Sequence, residues 1–91
     1  MKLPKMIEVK AISEEKFLVK IHEENSTSEH IVTLPDSYYR ALTNKRISKE
    51  ELIKKSFEFL LEREPKESIL SHFELKIIGR YFPEYEKVIK Q

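Results

Sequence analysis

The spacing of apolar residues changes once along this chain, and that change limits the fold more than any other feature. Ile7, Val9 and Ala11, then Phe17, Val19 and Ile21, alternate with polar residues, as strands with one buried face require. From Ser48 to Glu64 the apolar residues instead recur every three to four positions, as they do on a helix. Sheet first and helices second, within 91 residues, predicts one domain over residues 1–91 of the α+β class. No Cys is present, so no disulfide or thiolate site can assist, and the hydrophobic core must offset the entropy of folding alone.

Three strands are expected at about residues 6–12, 16–22 and 30–34, joined as an antiparallel meander. With Ser13-Glu14-Glu15 as a tight loop, Ala11 pairs with Phe17, Val9 with Val19 and Ile7 with Ile21. Glu8 then faces Lys20 on the wet side, a favourable cross-strand charge pair. A second turn around Asn25-Ser26-Thr27 is read as placing Ile21 opposite Ile31 and Val19 opposite Thr33. All seven apolar residues, Ile31 included, would then face the helices.

Helices are expected at about 36–43, 48–63, 66–73, 75–82 and 84–90, so that three to five of them pack on the sheet. Pro35 ends the third strand, with Asp36 or Ser37 as the cap of the first helix. Ser48 and Glu51 form a capping box for the second. On that helix Leu52, Ile53, Phe57, Phe59, Leu60 and Leu61 cover about half the circumference, which requires packing on more than one side. Pro65 and Pro83 set later boundaries, and periodicity leaves open whether the chain breaks near Glu74.

Charge narrows the partners. The 17 basic and 16 acidic side chains nearly cancel and interleave along the whole length, so bulk charge encodes no attraction to nucleic acid or to a membrane surface. No apolar run approaches the ~20 residues that span a bilayer, and the start, Met-Lys-Leu-Pro-Lys-Met, has no apolar signal segment. A cytoplasmic protein is expected. The Lys and Glu excess, the absence of Cys and the single Gly79 match the composition of high-temperature proteins.

Candidate sites are few. One Gly cannot build a Gly-rich nucleotide loop, Asp36 is the only Asp and reads as a cap, and the Glu residues sit on expected solvent faces. No enzymatic activity and no cofactor are expected. His22 and His30 fall opposite each other in the register above and are the metal candidates, although zinc sites need more ligands than two. Phe73-Glu74-Leu75, followed by Lys76 and Arg80, has the outline of a helix-turn-helix but too few cations to hold a phosphate backbone. Tyr38, Tyr39, Tyr81 and Tyr85 are the interface candidates, because a tyrosine ring buries area while its hydroxyl stays hydrogen-bonded; one or two of the four are expected at an interface and the others at the edge of the core.

Residues 32–39 (Val-Thr-Leu-Pro-Asp-Ser-Tyr-Tyr), the run from Ser48 to Leu70 with Phe57-Glu58-Phe59-Leu60-Leu61-Glu62-Arg63-Glu64-Pro65 at its centre, and Arg80-Tyr81-Phe82-Pro83-Glu84-Tyr85 resemble a widespread family of small prokaryotic proteins over about two thirds of the chain. That resemblance brings no activity with it. Residues 29–63 also resemble the ribbon-helix-helix DNA-binding proteins: a strand, Leu34-Pro35-Asp36, a short helix and a Ser-capped helix. The second resemblance implies that His30, Val32 and Leu34 are core and that Glu29, Ile31 and Thr33 face DNA, a trio without the Arg, Lys, Asn or Gln that bond base edges. The expectation is therefore a non-enzymatic protein–protein interaction module, with another protein or a second copy of the chain as partner and a DNA-binding regulator as the rival.

Overall fold

The computed structural model describes residues 6 to 90. Strands β1 (Met6–Ala11), β2 (Lys16–Glu23) and β3 (Ser26–Thr33) form the antiparallel meander. The first hairpin has the expected register, with Ala11 on Phe17, Val9 on Val19, Ile7 on Ile21 and Glu8 opposite Lys20.

The second hairpin does not. It turns on Glu24 and Asn25 and sets Phe17 opposite Val32, Val19 opposite His30 and Ile21 opposite Ser28. The displacement from the expected pairing is an odd number of residues, so β3 presents its other face. Val32 and Leu34 are fully buried, while Ile31 and Thr33 lie half-buried on the opposite side. His30 is admissible in the core because both ring nitrogens are bonded. Nδ1 lies 2.8 Å from the Leu70 carbonyl and Nε2 2.9 Å from the Ser28 hydroxyl. A carbonyl only accepts, so Nδ1 carries a proton, and in the neutral ring Nε2 accepts from Ser28.

The helix expected at 66–73 is also absent. A single 3-10 turn, Lys66–Ser68, leads into extended chain and strand β4 (His72–Glu74), which lies parallel to β3 with Phe73 beside Val32. The Ile31 N–H donates to the Ser71 carbonyl at 2.7 Å. Among the described residues the sheet is therefore four-stranded and mixed, in the order β1-β2-β3-β4. Ile69, Leu70 and Phe73 fit a helical stripe, but Ile69 and Leu75 bury and Phe73 half-buries while Leu70, His72 and Glu74 stay out, which is strand alternation. The extended form also pairs an edge of β3 that a helix would leave open. A second 3-10 turn, Leu75–Ile77, runs into α3 (Ile78–Tyr81), so the chain does break at Glu74. The C-terminal helix expected at 84–90 is present as α4 (Tyr85–Lys90).

Helix α1 (Asp36–Thr43) starts after Pro35 without a side-chain cap of its own. The Glu15 carboxylate, reaching across from the first hairpin, accepts the Asp36 N–H at 2.9 Å. Asp36 instead pairs with Arg40 at 2.9 Å and Lys49 at 3.3 Å. In α2 (Lys49–Leu61) the Ser48 hydroxyl accepts the Glu51 N–H at 3.1 Å, which is the N-cap half of the expected capping box. This helix packs on two sides. Phe57 meets the rings of His30 at 5.5 Å and Phe73 at 5.9 Å under the sheet, and Phe59 meets Phe82 at 5.9 Å and Tyr85 at 5.3 Å on the far side. Burying each such ring contributes roughly 1.5–3 kcal/mol, which makes α2 the centre of the core.

Candidate functional site

An open groove of about 360 Å³ lies where the end of α2 meets β4 and α3. Leu60, Ile69 and Ile78 form its apolar floor, Phe73, Ile77 and Phe82 its sides, and Leu70 and Tyr81 its rim, at 48% and 65% exposure. Glu64 and Ser68 are its polar members.

Three local devices hold this shape. The Arg63 guanidinium stacks on Phe59 at 3.5 Å, pairs with Glu84 at 3.2 Å and donates to the Phe59 carbonyl at 3.0 Å, tying the end of α2 to the Pro83-Glu84 turn. The backbone N–H of Glu84 and the Arg63 charge together hold the Glu84 carboxyl below the usual carboxylate value. The Lys66 ammonium is only 3% exposed, between Glu67 and Glu23, the latter at 3.6 Å. Its hydrogen bond to Glu67 pushes its pKa up. Extended backbone at Ile69 then buries that side chain and turns Leu70 outward.

Of the four tyrosine candidates, Tyr81 alone stands mostly exposed. Tyr85 is wholly buried, 2.6 Å from the Ser56 hydroxyl, and Tyr39 is 9% exposed with its hydroxyl donating to the Ile47 carbonyl at 2.8 Å. Both are corrected from interface to core, because their hydroxyls find internal partners and their rings fill the helical layer. Half-buried Tyr38 donates to Glu86 at 2.8 Å. Burial and that carboxylate raise its phenol well above the ordinary value.

The metal candidates are separated. His22 lies on the open sheet face, 3.1 Å from Glu8, and pairs with Thr27, whereas His30 faces the core. Among the described residues no three of His, Cys, Asp or Glu are grouped to hold a metal, and no helix is long and apolar enough to cross a membrane.

Two other surfaces stand out. A second concavity, of about 370 Å³, is walled by Arg46, Lys55 and Lys90 with no carboxylate in its lining. The open face of the sheet carries Glu29, Ile31 and Thr33, the trio that the ribbon-helix-helix resemblance turns toward DNA, but β3 is bonded on one edge by β2 and on the other by β4.

Sequence reasoning does not reach the groove because helices over 66–73 and 75–82 would bury Ile69, Leu70, Phe73 and Ile77 as apolar stripes. The signal was the adjacent pair Ile69-Leu70, since extended chain buries only one of two neighbours. Comparison with protein-family models, curated proteins and solved structures finds no match to this chain.

Proposed function

We propose that this chain is a small, non-enzymatic protein–protein interaction module whose groove takes an apolar side chain from a partner protein. The observation that carries the reading is the exposure of Leu70 and Tyr81 in the lining of an otherwise largely apolar groove. Large apolar side chains gathered at a concavity mark a contact surface, and tyrosine suits one because its hydroxyl stays hydrogen-bonded while its ring is covered. Glu64 and Ser68 offer acceptors for the backbone N–H groups of an extended or helical ligand. The absence of Cys and the balanced charge support a cytoplasmic setting, and the motifs of residues 48–70 and 80–85 support membership of the small prokaryotic family they resemble.

Peptide display against the folded protein tests the reading. Selected peptides should carry an aromatic or branched aliphatic anchor, and Leu70→Asp or Tyr81→Ala should weaken them by about tenfold or more. Tyr81 is mostly exposed and Leu70 about half exposed at the rim, so both variants should keep a melting temperature close to the wild-type value. Peptides that bind wild type and the two groove variants equally would overturn the assignment.

A further inference from the structure

We propose that β1 is a self-pairing edge: two copies of the chain join antiparallel through it, with Val9 on the two-fold axis and Glu8 of each copy opposite Lys10 of the other. This goes beyond the groove and does not depend on it.

The backbone comes first. Ile12 N–H donates to the Lys16 carbonyl at 2.8 Å, and bonding in an antiparallel ladder alternates from such a pair. Lys10 and Glu8 therefore bond inward to β2, and Val9 and Ile7 turn their N–H and C=O groups to the outer edge. Among the described residues no strand covers that edge.

The side chains then select a register. In an antiparallel pair related by a two-fold axis, residues meeting across the axis share a face, so the axis must pass through a residue rather than between two. Centred on Glu8 or on Lys10, the axis sets like charges directly opposite, which is destabilising. Centred on Val9, it sets Val9 on Val9, Ile7 on Ala11 and Glu8 on Lys10 twice over. Lys10 has no ion-pair partner among the described residues. Edge charges usually prevent sheet-to-sheet pairing, but opposite signs placed symmetrically about an apolar residue favour it between identical copies.

The packing agrees. Ile7 and Val9 point to the core yet remain half-buried, and Ile7 shares an open cavity of about 400 Å³ with Glu58, Leu61 and Glu62. The core is thus incompletely covered on the side where the second copy would sit.

The absence of Cys makes the register testable by cross-linking. A bonded antiparallel pair has Cα atoms about 5.5 Å apart, within the range a disulfide spans. Val9→Cys should oxidise to a disulfide-linked dimer, Ala11→Cys alone should not, and an equal mixture of Ala11→Cys with Ile7→Cys should. In sedimentation at about 100 µM the wild-type chain should be dimeric. Lys10→Glu should weaken the dimer on the order of tenfold by replacing two attractions with two repulsions, and adding Glu8→Lys to it should restore the dimer. A monomeric wild type, equal cross-linking of Val9→Cys and Ala11→Cys, or failure of the charge swap in chains that melt as wild type does would each overturn the proposal. A groove that binds its peptides in a monomer would leave the module reading intact and refute this one.

Discussion

Lys45 holds φ at 60° directly after Asn44 at 52°, two successive left-handed residues in the turn that links α1 to α2. Asn suits that region because its short amide bonds locally, and Asn44 closes α1 as its C-cap, with its N–H on the Arg40 carbonyl. Lys has no such compensation, and a side chain in this conformation costs roughly 1–2 kcal/mol. Gly removes the strain but adds freedom to the unfolded chain, worth about 0.4–1 kcal/mol in the other direction. Lys45→Gly should therefore stabilise the protein by about 0.5–1 kcal/mol. Thermal denaturation would show it as a rise of a few degrees in Tm for a domain this size. A fall in Tm would mean that the Lys45 side chain is doing something its exposed position does not reveal. His30 makes the complementary point: its core position follows from two hydrogen bonds, one to a residue forty positions away, so its polarity was a poor guide to its place.

At the scale of elements, α4 is the informative one. Six residues are too few to hold a helix in water, so contacts must hold it. Tyr85 anchors it to Ser56 of α2, and Glu86 accepts from Tyr38 of α1. Ser56 gives its only proton to the Leu52 carbonyl at 2.8 Å, so the Tyr85 hydroxyl must be the donor between them, and only the neutral phenol can donate. Burial raises the pKa of both tyrosines above the ordinary 10.0, and Lys66 is raised by Glu67 above 10.5. A folded-state pKa above the unfolded one gives stability that is complete below the unfolded value and declines as pH climbs toward the folded value. All three groups therefore weaken the fold in one window, beginning near pH 10. Tm followed by circular dichroism should hold to about pH 9 and fall steeply by about pH 11, and Tyr85→Phe should lower Tm at neutral pH while making the alkaline fall shallower. A Tm unchanged across that interval would contradict the anchoring role.

Across the whole molecule, charge and topology are what the rival DNA-binding reading has to meet. The formal net charge is +1, and a concavity walled by three cations, Arg46, Lys55 and Lys90, lies away from the sheet face that a strand reader would use. Mobility shifts on duplex DNA should show only weak binding that disappears with modest salt and with Lys55→Glu, because phosphate contacts carry such affinity. Sub-micromolar binding at physiological salt that is lost on Thr33→Ala would instead promote the ribbon-helix-helix reading. What the sequence determined by itself was local: the α+β order, the first hairpin, the Ser48 cap and the two-sided burial of α2. In each of these, residues a few positions apart contain the whole physical argument, through strand alternation, a tight turn or helical spacing. Tertiary structure decided the face of β3, the strand rather than helix at His72–Glu74, and the groove that follows from it. Ile31, His30 and Leu70 could each satisfy local rules in two ways, and the choice was made by partners distant in sequence: the open edge of β3, the ring of Phe57 and a carbonyl that needed a donor.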